Sequence, residues 1–414
     1  MRSAAGFPPF EMDYAATANQ ELEPICAADR AGTRQIIGFV YFTFICYVSI
    51  GLPLAVLPPY VHLRMGYSAM LAGLAVSIQY VATLGSRPWA GRISDQVGAK
   101  IAVLWGMGAC TGSGALLLAA AALHRFPLLS FAMLILSRLV LGVGESLGST
   151  GATLWGITAA GLEHTAKVIG YNGVCTYGGM ALAAPLGVVL YQRWGLPAIG
   201  LVTMLVAGAS LMLALRKDPV PVTTEGEHLP FNRVLGRVTP HGMGLALSGV
   251  GYSVLATFVA LYYASHHWNG AALCLTAFGL GFIVVRLTLI RTISHFGGFP
   301  VAMASLAVEA GGLILLWLAF EPWMALVGSA VSGFGLSLVF PAIGVEAVKR
   351  VPEQSRGTAL GVYTAFADVS FFLTGPIAGA IIGVYGYPSA FLFALISVVA
   401  GLGIVIVLRR VQGD

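Results

Sequence analysis

Three ionisable side chains stand inside long apolar runs of the sequence: Arg138, Glu145 and Asp368. A lone Arg near the middle of a bilayer costs roughly 2.5–3.5 kcal/mol on insertion scales, so Arg138 must face a cavity or a partner. Glu145 follows it by seven residues. On a helix that spacing is within about 20° of the same face and roughly 10 Å along the axis. The two line one stripe, too far apart for an ideal salt bridge but near enough to share water. Asp368 lies deep in a later run, and a carboxyl at that depth is the type of group that carries a proton across a membrane. The plainer alternatives are an Arg138 tied to backbone carbonyls and an Asp368 hydrogen-bonded to the next helix. Arg87 and Arg286 fall near the ends of their runs and read as side chains that snorkel to the headgroups.

A second group is uncharged. Tyr47, Gln79, Tyr80, Asn172, Tyr177, Tyr252 and Tyr363 lie in or beside central runs and suit a mixed polar and aromatic pocket. Tyr also belongs at membrane interfaces. Of the five cysteines, all but Cys26 lie in apolar runs and none forms a CxxC pair. Cys46, Cys110, Cys175 and Cys274 read as small packing residues, and no metal site is expected.

The elements that must position these residues follow from composition. Of 414 residues, 57% are hydrophobic and 9% charged, against about 25% charged in a soluble domain. Runs of this length need lipid as solvent, and helices satisfy every backbone group there. The alternation of a β-barrel is missing. The fold class is all-α membrane protein, with twelve spans. They begin near Gln35, Ala69, Ile101, Pro127, Val168 and Ala198, then near His241, Ala271, Pro300, Pro322, Thr358 and Ser389. Residues 1–34 carry acidic groups and no apolar core, so they read as a solvated tail rather than a secretory signal. The domains are a first six-helix bundle over 35–215, a polar, Pro-containing linker over 216–240, a second bundle over 241–408 and a short tail over 409–414. Placing both termini in the cytoplasm leaves only Arg64, Arg125 and Arg193 outside, and the reverse topology would invert this bias. The net charge of +5 therefore reflects topology, and no concentrated basic surface suggests a nucleic-acid partner.

The second half repeats the first. A shift of 191 residues lays Gly142-Val-Gly144-Glu-Ser146 on Gly333-Phe-Gly335-Leu-Ser337, Gly170 on Gly361, Pro185 on Pro376 and Gly195 on Gly386. Earlier, Ile93-Ser-Asp95-x-x-Gly98 matches Ile293-Ser-His295-x-x-Gly298 at a shift of 200. Repeats running in the same direction imply a twofold axis along the membrane normal, with a substrate site between the halves.

The stretch Gly91-Arg92-Ile-Ser-Asp95-Gln-Val-Gly98-Ala-Lys100 resembles the loop 2–3 signature of the major facilitator superfamily, and the resemblance covers essentially everything after Arg34. Gly91 and Gly98 suit a tight turn. Asp95 suits a helix N-terminus. In the family that partner is the start of the eleventh span, here near Gly357 and Thr358, and the contact breaks and reforms as the halves rock. His295 in the second copy implies a weaker counterpart. Arg138-Leu-Val-Leu-Gly142-Val-Gly144 is similar to the family motif with a buried Arg linked to proton coupling. Gly173, Gly178, Gly179 and Pro185 resemble the Gly-Pro motif of drug:proton antiporters. Ala184 stands where that motif has Gly, while Gly375-Pro376 keeps it in the second copy. These glycines and prolines serve bending and packing. Glu309 falls in a span that the family places at the periphery.

Taken together these features imply a monomeric multi-pass protein of a bacterial inner membrane. It would export small organic molecules against the proton gradient, with no cofactor. Import of a sugar or organic acid by symport is the alternative within transport. An enzyme or a sensor is not expected: there is no HExxH zinc helix and no GxxxxGK[ST] phosphate loop, no nucleophile elbow is expected, and no soluble output domain is apparent.

Overall fold

The computed structural model describes residues 35–161, 165–220, 231–351 and 356–412. Among the described residues, twelve helices are long and apolar enough to span a bilayer. They are α1 (Gln35–Arg64), α2 (Ala69–Ile93), α3 (Gln96–Ala122), α4 (Pro127–Ala160), α5 (Lys167–Trp194), α6 (Leu196–Arg216), α7 (Asn232–Ser265), α8 (Ala271–Leu289), α9 (Gly298–Trp317), α10 (Pro322–Val348), α11 (Gly361–Tyr385) and α12 (Pro388–Gln412). No strand occurs among the described residues. Several spans open on a proline in the first turn, at Pro127, Pro197 and Pro322, where its missing N–H would have had no helical partner.

The two halves pack alike. In the first, α3 packs on α4 and α6, and α4 on α2; in the second, α9 packs on α10 and α12, and α10 on α8. Contact between halves runs mainly through two seams, α2 with α11 and α5 with α8, with smaller contacts of α1 and α2 against α7. A twofold axis that exchanges α2 with α8 and α5 with α11 exchanges the seams as well. The helices α1 and α7, first in each half, are the most buried.

Close backbone approach fixes the register between copies. A Cβ on Gly142 would run into the Gln79 carbonyl oxygen, and one on Gly333 into that of Phe278. The shift is 191 on α4 and α10, but 199 on α2 and α8. The turn glycines agree: Gly98 has φ +118° and Gly297 has φ +84°. The expected shift of 200 in this region is therefore one residue too long. Gly298 instead packs on the Ala342 carbonyl and donates its N–H to Glu346 Oε1 at 3.0 Å. His295 thus overlies Gln96 rather than Asp95.

Other expectations move. The seventh span starts at Asn232, not His241, so residues 231–240 are not linker. Pro240 sits inside the helix, and the turn before it is tied down by Arg237 Nη1, which donates to the Arg350 carbonyl at 3.1 Å. The tail over 409–414 shrinks, because α12 runs to Gln412. Arg409 and Arg410 lie in its last turn, where cations suit the helix dipole. Gly91 makes no turn: it lies inside a helix, and a Cβ there would meet nothing within 4 Å. The tail over 1–34 lies outside the described residues.

The seams are tight at the end of the bundle away from the termini. A Cβ on Gly375 would lie 2.7 Å from the Gly73 carbonyl oxygen, and one on Gly379 2.7 Å from Met70 Cα. On the other seam, Thr276 Oγ1 donates to the Ala181 carbonyl at 2.8 Å. Small residues let these backbones touch. Towards the termini the fit loosens, and a Cβ on Gly170 or Gly361 would meet nothing within 4 Å.

Candidate functional site

The long α4 carries Arg138 and Glu145 on one buried stripe. Gly142 stands between them and lets α2 approach α4 closely enough to insert polar side chains. Gln79 donates its Nε2 to Glu145 Oε2 at 3.3 Å and accepts from Arg138 Nη2 through its own Oε1. One carboxamide therefore spans the gap between the two charges. Thr83 Oγ1 lies 3.2 Å from Glu145 Oε2, and Tyr47 Oη of α1 donates to Oε1 at 3.0 Å. Gln79, Thr83 and Arg138 are wholly buried. Among the described residues Arg138 Nε and Nη1 have no partner. The water shared by Arg138 and Glu145 in the sequence-based expectation is replaced by Gln79. Chemically, the cluster holds a carboxyl by neutral donors, with the cation one amide away, so a proton can enter or leave without breaking a direct ion pair.

The third ionisable group has a different partner. Arg87 of α2 grips Asp368 of α11, Nη2 donating to Oδ1 at 2.9 Å and Nε to Oδ2. The Asp368 side chain is 4% exposed and that of Arg87 24%. Arg87 does not snorkel to the headgroups: a carboxylate one seam away offers a bidentate fit that a headgroup cannot better. Arg286 does not snorkel either. It is 8% exposed, and its guanidinium stands 4.9 Å from the centre of the Phe282 ring, which gives it an aromatic face inside the bundle.

Aromatic rings cross the space between the halves. Tyr80 packs on Phe371 with centroids 5.0 Å apart, Phe371 on Tyr252 at 5.8 Å, Tyr252 on Tyr177 at 5.5 Å and Tyr177 on Phe282 at 3.7 Å. This belt links α2, α11, α7, α5 and α8. Of the expected pocket set, Tyr47, Gln79, Tyr80, Tyr177 and Tyr252 are thus brought together at the centre. Tyr252 also donates to Met180 Sδ at 2.7 Å. Asn172 is half-buried on α5, with no partner for its Oδ1 among the described residues. Tyr363 is buried within the second half, where its hydroxyl donates to the Phe340 carbonyl at 3.0 Å.

The remaining expected residues divide. Lys100 Nζ donates to the carbonyls of Leu215 and Lys217 at 3.0 and 2.6 Å, so it anchors the end of α6. Lys217 in turn lies 4.5 Å over the Phe39 ring, and burial lowers its pKa. Arg92 is exposed, and Ser94–Gly98 forms a π-helical turn. The Asp95 side chain and Gly357 lie outside the described side chains. Gly179 packs on the backbone of Phe44 and Gly144 on Cys110, whereas Gly178 has only Ile283 at 3.4 Å. Pro185 and Pro376 sit inside matching helices. Cys46, Cys110 and Cys274 are buried thiols, while Cys175 is half-buried. Gly144-Glu-Ser146-Leu-Gly148 does spell the GxSxG spacing, against expectation, yet it runs through the middle of α4. The Ser146 hydroxyl is buried with no hydrogen-bond partner among the described residues, and the mid-helix backbone there forms no elbow. Glu309 is wholly buried in α9, with no partner for either oxygen among the described residues.

Thr83 is a site residue that sequence reasoning passed over, and Arg87 and Arg286 are two that it assigned to the headgroups. The signal for the two arginines was their near-equivalence in the repeats.

Comparison with known proteins bears on the whole chain. The family model described as Major Facilitator Superfamily matches residues 39–240 and 242–413. An uncharacterized MFS-type transporter of Burkholderia mallei is 51% identical over 382 residues, covering 92% of this chain and 94% of the relative. One of Pseudomonas aeruginosa is 52% identical over 378 residues, covering 91% and 94%. Among solved structures, a mutant of the nucleoside transporter NupG superposes with a TM-score of 0.72 at 15% identity, covering 90% of this chain and 99% of that one. The human organic anion transporter MFSD10 gives 0.66 at 14%, covering 90% and 99%.

Proposed function

The chain belongs to the Major Facilitator Superfamily and is therefore a secondary transporter, and on that premise we propose that it exports small organic molecules in exchange for protons. It does so by alternating access, as a monomer in the bacterial inner membrane, with both termini in the cytoplasm and the proton gradient as its energy source. In that orientation the tight seams face outwards and the loose ends face the cytoplasm, an arrangement open to the inside.

The observation that supports coupling is the Arg87–Asp368 pair. It ties α2 to α11 across the seam on which the halves must rock. A proton on Asp368 cancels the charge that holds Arg87, so protonation loosens one conformation relative to the other. Glu145, held by neutral donors against Arg138 and Gln79, is a second station for the same proton. The motif that carries Asp95, between α2 and α3, is the gate in this reading. Export is favoured by the Gly375-Pro376 element on α11, which α5 echoes only as Ala184-Pro185.

The test begins with a thermal-stability screen of the purified protein, since any ligand of the folded state raises its apparent stability. A stabilising compound is then added to inverted vesicles whose lumen has been acidified. Export by antiport predicts compound-driven alkalinisation of the lumen and uptake of the compound. Co-directional movement of compound and proton would establish symport instead, and uptake with no proton movement would end the coupling proposal.

A further inference from the structure

The twofold relation sets Arg87 and Arg286 on equivalent positions of α2 and α8, at the shift of 199 that the Gly142–Gln79 and Gly333–Phe278 contacts define. It also sets Asp368 of α11 on Tyr177 of α5, at the shift of 191 that aligns Pro376 with Pro185. The first seam therefore pairs a cation with a carboxylate. The second repeats the cation but offers a phenol where the carboxylate would be.

Arg286 is left without a counter-charge. It is only 8% exposed, no hydrogen bond or ion pair reaches its guanidinium among the described residues, and its Nε is fully enclosed without a partner. A buried cation with no anion is costly, and its persistence needs a reason. Phe282 covers one face at 4.9 Å. On α5 the residue opposite is Gly173, where a Cβ would stand 3.8 Å from the guanidinium carbon. The absence of a side chain there leaves the charge approachable along the loose end of the seam. Tyr177, stacked on Phe282 at 3.7 Å, adds a ring and a hydroxyl beside it.

We propose that Arg286 is the substrate's charge anchor: the transported molecule is a small organic anion, a carboxylate on an aromatic or apolar body. Its carboxylate pairs with Arg286, and its body lies against the half-buried Tyr177. The substrate thus supplies on the α5–α8 seam the anion that Asp368 supplies on the α2–α11 seam. This rests on the transporter reading and narrows its substrate class.

The test is binding to the purified full-length protein, read as the thermal midpoint during titration. The probes are benzoate, phenylacetate and cinnamate beside benzamide, phenylacetamide and cinnamamide. The acids are expected to raise the midpoint saturably and the neutral amides to leave it unchanged. Arg286→Gln is expected to weaken the acids roughly tenfold or more, as loss of a charge-assisted contact does, and Arg286→Lys to weaken them less. Tyr177→Asp keeps the arginine but gives it an internal carboxylate, so it too is expected to abolish the response. That variant carries the test if Arg286→Gln fails to fold. Equal responses to acids and amides, no response to any acid, or full acid binding by either Arg286→Gln or Tyr177→Asp would each overturn the inference. The readout needs no gradient. Acid binding without proton-linked flux therefore removes the antiport reading and leaves the anchor. Proton-linked flux of a neutral compound, unchanged in Arg286→Gln, removes the anchor and leaves antiport.

Discussion

Arg87 and Asp368 reach each other from helices that belong to different halves of the chain, and they do so by two parallel hydrogen bonds, Nη2 to Oδ1 at 2.9 Å and Nε to Oδ2. The pair stands on the side of the α2–α11 seam nearer the termini, while Gly73 and Gly375 press together on the other side. The seam thus has a charged contact and a dry contact, and each can be altered without touching the other.

Asp368→Asn leaves the half-buried Arg87 without its partner, a loss below the roughly 3–5 kcal/mol of fully buried pairs because water still reaches the guanidinium. The thermal midpoint of Asp368→Asn is expected to fall. Adding Arg87→Gln is expected to restore part of it, because the stranded charge is gone. Proton-linked flux is expected to be lost in both. Additive single and double effects in this cycle would show that the two side chains are not coupled in the membrane.

Gln79 is expected to matter as much as the charges it joins. Gln79→Ala removes the acceptor of Arg138 and one donor of Glu145 together, so its effect on flux should match that of Arg138→Ala, which is expected to uncouple or abolish transport. The measurement is initial proton-linked flux at matched protein level in vesicles. Normal flux in Arg138→Ala would remove this cluster from the coupling proposal.

Bulk at the dry contact is expected to trap one conformation. Gly375→Leu forces a side chain into the space where even a Cβ would lie 2.7 Å from the Gly73 carbonyl oxygen. The protein should still fold, because the halves can part, but that end should no longer close. Accessibility of single cysteines placed on α2 and α11 beyond Gly73 and Gly375 reads this directly. Unchanged protection there, with transport intact, would contradict the seam described.

Glu309 is expected to be dispensable. Its oxygens have no partners among the described residues, and it packs against Gly251 and Gly335 within the second half. Replacing an unsatisfied buried group by an apolar one of similar length removes a penalty of about 1–3 kcal/mol. Glu309→Met should therefore raise the thermal midpoint and leave flux unchanged. A fall in flux with unchanged stability would place Glu309 in the coupling path.

The twelve spans, the repeat and the stripe of Arg138 and Glu145 were legible because each has a local cause: run length, a constant shift, and helical spacing. Gln79 was legible as a central amide but not as a bridge, since only the Gly142 contact brings α2 that close to α4. Arg87 was misread because a basic residue near a span end has an ordinary home at the headgroups, and nothing local reveals a carboxylate 281 positions later. The start of α7 was misplaced because Pro240 reads as a boundary, while the contact that keeps the preceding turn helical comes from Arg350. GxSxG shows the converse: a spacing can be present where the backbone that would give it meaning is not.

The copying of the chain was not uniform. Positions that are Gln79, Thr83 and Glu145 in the earlier half are Phe278, Phe282 and Leu336 in the later one. The donors around Glu145 thus have apolar counterparts at the positions the repeat relates to them. With the coupling and the anchor proposed above, the molecule has a distinguishable left and right: the polar cluster of Tyr47, Gln79, Thr83 and Glu145 lies on one wall of the chamber and the unpaired Arg286 on another.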